Sequence, residues 1–132
     1  MNAPIVFVPR ERFGATRLSL ESILRHTPQP YRLVVVDAGS PPPVRRYLRQ
    51  VSAAEGFKLI SVDRLLVPNR ARNLALPHVD TEYVVFLDND LIVYPGWLEA
   101  LLDCADRTQA WVVGPVYLEG NDGSDRVHMA GG

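Results

Sequence analysis

The run Leu33-Val34-Val35-Val36, closed by Asp37 and followed by Gly39, limits what this chain can become more than any other segment. Consecutive branched and aliphatic residues without polar alternation suit a strand covered on both faces, and such strands belong to parallel sheets whose crossover helices cover them. The same character recurs, so strands are expected at Pro4 to Val8, Arg32 to Asp37, Lys58 to Val62, Tyr83 to Leu87 and Trp111 to Tyr117. Between them, Leu20, Ile23 and Leu24 share one helical face, as do Val44, Tyr47, Leu48 and Val51, and then Leu98, Leu101, Leu102 and Ala105. Alternation of this kind specifies an α/β chain with a Rossmann-like, mostly parallel sheet and helices on both faces. Ser40 is expected to cap the second helix ahead of Pro41-Pro42-Pro43, and Pro95 to open the helix of Trp97 and Leu98.

With 132 residues, 47% of them hydrophobic, the chain is long enough for one core that buries about two-thirds of the unfolded surface. A single domain over residues 1–132 is therefore expected. Lys and Arg number 14 against 15 Asp and Glu, a net charge of −1, which argues against nucleic acid as a partner. Cys104 has no second cysteine to pair with, which suits a reducing compartment. No run approaches the ~20 apolar residues of a membrane span, and the start has no basic leader region. A cytoplasmic chain without a membrane segment is the expectation. Gly120 to Asp125 read as a loop, and the closing Gly131-Gly132 reads as a truncated C-terminal side.

Open parallel sheets bind ligands at the carboxyl ends of their strands, so polar residues just past each apolar run come first. These are Pro9-Arg10-Glu11-Arg12, Asp37-Ala38-Gly39-Ser40, Asp63-Arg64 and Asp88-Asn89-Asp90. They are expected to converge on one rim. Two carboxylates one residue apart at the end of a buried strand can hold a hard divalent cation, leaving phosphate oxygens or water to finish its shell. Asp88 and Asp90 are accordingly the candidate ligands of a hard divalent cation, and a diphosphate the candidate anion. An acidic turn that merely ends a strand is the plain alternative. Asp37 can accept hydrogen bonds from a base or ribose, or close an Asx turn on its own backbone. Asp37→Ala is expected to weaken nucleotide binding with the fold intact. In Asn69-Arg70-Ala71-Arg72-Asn73, Arg70 and Arg72 stand near a helix N-terminus where guanidiniums can clasp phosphate, although a solvated helix face would look the same. Asn73 is expected to bond the backbone of a neighbouring loop.

Three stretches, Val34 through Ser40, Ala71-Arg72-Asn73 with Ala75, and Tyr83 through Asp90 followed by Pro95-Gly96-Trp97-Leu98, resemble a family 2 glycosyltransferase with the GT-A fold. The resemblance runs from about Pro4 to about Tyr117, in matching order and spacing. It implies a nucleotide-sugar-binding part, with Asp37 at the base of a UDP- or GDP-linked sugar and Asp88 at its ribose or sugar side. It further implies Asp90 on Mg²⁺ or Mn²⁺ at the diphosphate and the backbone after Val8 lining the base pocket. Pro9, Arg10, Glu11, Gly39, Ser40, Arg70, Arg72, Asn73 and Asn89 complete the substrate-binding set. Two features depart from the pattern. Pro41-Pro42-Pro43 replaces polar positions, and no catalytic base is identified, since inverting members carry theirs downstream of the Gly-rich stretch that Ala130-Gly131-Gly132 opens. His128 reads as a solvated loop histidine. The isolated chain is thus expected to bind its donor without transferring sugar to an acceptor, whose identity the residues do not indicate.

Other functions fit less well. A haloacid-dehalogenase phosphatase places D-x-D on its first strand, a dinucleotide-binding domain needs G-x-G-x-x-G where only Gly14 stands, and a sugar-nucleotide pyrophosphorylase needs a Gly-rich basic loop there. The rival of a different class is a non-catalytic module that binds nucleotide-sugars or partners.

Overall fold

A computed structural model describes residues 3–119 and 126–130. Two compact units emerge, Met1–Pro95 and Gly96–Gly132. In the first, β1 (Ile5–Val8), β2 (Leu33–Ala38), β3 (Lys58–Val62) and β4 (Val85–Asp88) form a parallel sheet in the order β3-β2-β1-β4. Helices α1 (Thr16–His26), α2 (Pro42–Glu55) and α3 (Pro68–Ala75) connect them. Every residue of β1 and β2 is buried, as runs without polar alternation require, whereas the edge strands β3 and β4 are partly exposed.

The two sheet faces follow from the alternation of side chains. Val6, Val8, Val34, Val36 and Ala38 share one face and form a cluster with Ala71 and Ala75 of α3. Those two alanines, each 0% exposed and one turn apart, are the only buried residues of α3, and small side chains let the helix lie close on β1 and β2. The opposite face carries Ile5, Phe7, Leu33, Val35 and Asp37, and α2 reaches it through Arg45, which touches Asp37. Helices therefore flank both faces. Helix α2 starts with Pro42 in its first turn and ends at Gly56, whose φ of 78° permits the N–H to close on Ser52 O at 2.8 Å.

Several expectations need correction. Pro41, not Ser40, occupies the cap of α2, and no side chain caps it. The helix of Trp97, α4 (Trp97–Thr108), follows a left-handed Gly96 at φ 80°, so Pro95 lies outside its first turn. The fourth strand starts at Val85, where its pairing with Ile5 of β1 begins, and Tyr83 O ahead of it accepts the Thr81 hydroxyl. No fifth parallel strand forms at Trp111 to Tyr117. The extended part is only β5 (Val116–Leu118), paired antiparallel with β6 (Val127–Ala130) in a second sheet. Pro115 has no N–H to give a ladder, and Trp111 and Val112 are exposed. His128 consequently lies on a strand rather than in a terminal loop. The expected loop at Gly120 to Asp125 and the closing Gly131-Gly132 lie outside the described residues. No helix among those described is long and apolar enough to cross a membrane.

Candidate functional site

In the order β3-β2-β1-β4 the chain leaves β1 for one side of the sheet and later returns with β4 on the other. This reversal makes the carboxyl ends of β1 and β4 the topological switch point, the place where open α/β sheets take ligands. Val8 pairs in register with Asp88, so the Pro9-Arg10-Glu11 loop and the Asp88-Asn89-Asp90 turn leave the sheet side by side.

Asp88 stands between two guanidiniums. Its Oδ1 accepts Arg72 Nη2 at 3.2 Å, and Oδ2 lies 3.5 Å from Arg10 Nη2. All three side chains are partly open to solvent, at 31% for Asp88, 26% for Arg72 and 40% for Arg10, so an incoming anion or cation can compete for them. Arg72 is further held by Asn69 Oδ1 at 3.1 Å and by the Phe86 ring, 5.8 Å from its guanidinium carbon. Glu11 adds a 4.0 Å contact to Arg10 and adopts a left-handed φ of 53°. Arg70 is exposed and forms no ion pair among the described residues. Asn73 is also exposed, and the loop hydrogen bond expected of it is absent from the described contacts, because the buried side of α3 is that of Ala71 and Ala75.

Asn89 differs from its neighbours in being only 1% exposed. Its Oδ1 accepts the Arg10 backbone N–H at 3.1 Å, and its Nδ2 donates to Arg12 O and Thr16 Oγ1, both at 3.0 Å. The side chain placed among the substrate ligands is thus turned inward and engaged by its own chain. Asp90 is exposed and free of ion pairs among the described residues. No group of three or more His, Cys, Asp or Glu able to hold a metal occurs among the described residues. Asp88 and Asp90 fit a cation only as a two-carboxylate set that phosphate oxygens would complete.

The acidic residues of the other strands form a separate cluster. Asp37, 0% exposed, accepts the Ser40 N–H at Oδ1 (3.1 Å) and Arg45 Nε at Oδ2 (3.3 Å). Arg45 also reaches Asp63 Oδ1 at 3.0 Å and Val62 O at 3.3 Å. Gly39 donates its N–H to Val62 O, and its Cα packs so closely that a Cβ there would lie 2.7 Å from Leu65 N. Ser40 Oγ is buried without a hydrogen-bond partner among the described residues. Pro9 is buried at the end of β1. Sequence reasoning missed Arg45 and Thr16, whose only local signal is a polar residue in the first turn of a helix behind a strand-ending acid or loop.

Residues 11–131 match the family model described as glycosyl transferase family 2. The chain belongs to that family. This family 2 chain is 36% identical over 66 residues to polypeptide N-acetylgalactosaminyltransferase 15 of Homo sapiens, a stretch that covers 50% of the chain and 10% of the human protein. Among solved structures it is similar to TarS 1–349 of S. aureus, with a TM-score of 0.66 at 21% identity over 81% of this chain and 33% of that one. The complex of TarS 1–349 with UDP-GlcNAc gives 0.67 at 21% identity, over 81% and 32%. These likenesses establish the shared GT-A fold. The family 2 chain spans about a third of the TarS fragment and a tenth of the human relative.

Proposed function

We propose that the chain is the donor-binding part of a glycosyltransferase and takes a nucleotide-diphosphate sugar at the carboxyl ends of β1 and β4. The observation that carries this reading is the pairing of Asp88 with Arg10 and Arg72 at the topological switch point. It is supported by family membership and by similar TarS structures, which were solved with UDP and with UDP-GlcNAc. The diphosphate draws the two guanidiniums off Asp88, since Arg forms stronger, bidentate pairs with phosphate. Asp88 and Asp90 are then free to hold Mg²⁺ or Mn²⁺, which when bound supplies positive charge to the diphosphate leaving group. Arg10 and Arg72 add to that stabilisation as the bond from anomeric carbon to diphosphate oxygen breaks and the acceptor oxygen bonds the same carbon. The acceptor's proton requires a base, and none of the residues assembled around Asp88 is placed as one. The chain by itself is therefore expected to bind a donor without acceptor-dependent transfer.

The test is calorimetric titration of UDP with and without Mn²⁺. The parent should bind UDP more tightly with Mn²⁺, and Asp90→Ala should lose that enhancement while retaining metal-free affinity. If Asp90→Ala keeps the parent's Mn²⁺ response, the metal assignment fails; if the parent does not bind UDP or GDP at all, so does the donor site.

A further inference from the structure

We infer that Asn89, acting through Thr16, is a positioning residue that locks the Pro9-Arg10-Glu11-Arg12 loop to the Asp88-Asn89-Asp90 turn, so that cation and nucleotide bind as a coupled pair. This rests on the donor site proposed above and adds to it the residues that join its two halves.

The geometry is unusually complete for one side chain. An Asn amide offers an acceptor and two N–H donors, and here all of its recorded bonds go to one segment seventy or more residues away in sequence. Oδ1 holds the Arg10 N–H, and Nδ2 holds Arg12 O and Thr16 Oγ1. The loop is therefore fixed at its start, at its end and at the first residue of α1. Thr16 is 1% exposed and Asn89 1%, so the bond between them is sheltered from water, while those to Arg10 and Arg12 are partly so. Within the loop Glu11 carries a left-handed φ of 53°, and the Phe13 N–H to Glu11 O and Ala15 N–H to Arg12 O bonds join it to the short 3-10 turn at Phe13–Ala15. Asn89 gives it an anchor on the sheet.

The two residues on either side of Asn89 are the exposed or half-exposed carboxylates Asp88 and Asp90. Any displacement of the turn moves them together with the loop that carries Arg10. A ligand that sets the position of one element sets that of the other, so the two affinities rise reciprocally. Cutting the Asn89 anchor should leave both binding surfaces present and remove the part of their linkage that goes through the protein, leaving only what the phosphate oxygens supply directly to the cation.

The experiment measures a coupling factor, the ratio of UDP dissociation constants without and with saturating Mn²⁺, for the parent, Asn89→Ala, Thr16→Val and Thr16→Ser. Each titration is run below the unfolding transition recorded by circular dichroism. Asn89→Ala should reduce the coupling factor about tenfold, Thr16→Val several-fold, and Thr16→Ser, which restores the hydroxyl acceptor, should return it towards the parent value. A variant that is merely less folded weakens UDP binding in both conditions, and because Mn²⁺ bound to the folded state raises the folded fraction, its ratio stays equal or rises and does not fall. Should Asn89→Ala fail to fold, Thr16→Val against Thr16→Ser decides the matter alone. Parental coupling in Thr16→Val overturns the inference while the donor site stands. A parent that binds UDP but shows no coupling to Mn²⁺ overturns this inference together with the metal assignment.

Discussion

Arg45 Nε lies 3.3 Å from Oδ2 of Asp37, a carboxylate with 0% exposure, and the same guanidinium continues to Asp63 and Val62 O. The end of β2, the edge strand β3 and the first turns of α2 are thereby tied to one side chain. Removing one partner of a buried pair leaves a charge without compensation, which commonly costs about 3–5 kcal/mol. Arg45 retains 21% side-chain exposure and Asp37 keeps its Ser40 N–H, so Arg45→Met should cost somewhat less, roughly 2–3 kcal/mol, read as a lower urea midpoint with unchanged slope. The same pair revises the expectation for Asp37→Ala, which takes one partner from the guanidinium, strands the Ser40 N–H and should lose stability. A midpoint equal to the parent's in both variants would contradict this account.

Gly39→Ala should destabilise by about 2 kcal/mol or more, because two penalties coincide. Its φ of 75° disfavours any L side chain, and the added Cβ would meet Leu65 N at 2.7 Å and Arg64 C at 2.9 Å, both backbone atoms that cannot swing aside. Gly56→Ala serves as the control. It has a similar φ of 78° with nothing within 4 Å, so it should carry the conformational cost alone. Equal losses at both positions would show that the close approach to Leu65 is unimportant.

Tyr47→Phe should raise stability at pH 7 by roughly 1 kcal/mol, since the Tyr47 hydroxyl is buried without a hydrogen-bond partner among the described residues. Burial, with a further contribution from Glu21 and against Arg17, pushes the Tyr47 phenol above its ordinary 10.0. Burial and Glu55 do the same for Tyr31. A folded value above the unfolded one leaves stability undiminished below about pH 10 and lowers it as pH rises through the folded value. Thermal melts between pH 8 and 12 should therefore fall more steeply for the parent than for Tyr47→Phe. Parallel curves would remove Tyr47 from the alkaline transition.

Arg72→Ala should weaken UDP binding about tenfold and reduce its salt dependence, while changing stability by less than about 1 kcal/mol because the Asp88 pair is open to solvent. Arg72→Lys should recover only part of the affinity, since an ammonium lacks the planar fork and the stacking on Phe86. Calorimetry at two ionic strengths distinguishes these outcomes. Full recovery by lysine would indicate a point charge rather than a bidentate clasp.

Most of the sheet was legible because its evidence is local. Leu33 to Val36 has no polar alternation and is buried throughout, and Lys58 to Val62 forms a strand with the boundaries expected of it. Amphipathic spacing likewise located α1, α2 and α4. The run Trp111 to Tyr117 misled, because apolar content alone does not report whether a ladder partner and a covering helix exist. Ser40 looked like a cap for the same reason, its chemistry being suitable and its backbone placement being unknowable from residue type.

Residue order by itself thus determined an α/β chain whose acidic residues stand at strand ends, since burial periodicity and strand-ending polarity are written within a few neighbouring positions. Which of those acids share a site was decided only by tertiary structure. The order β3-β2-β1-β4 places Asp88 beside the loop of Arg10 and α3 brings Arg72 to it, while α2 brings Arg45 to Asp37 and Asp63. Asn89 and Thr16, 73 positions apart, meet for the same reason. Contacts of that range arise from strand order and from the close approach that Ala71 and Ala75 permit, and neither is encoded in the spacing of the residues that use them.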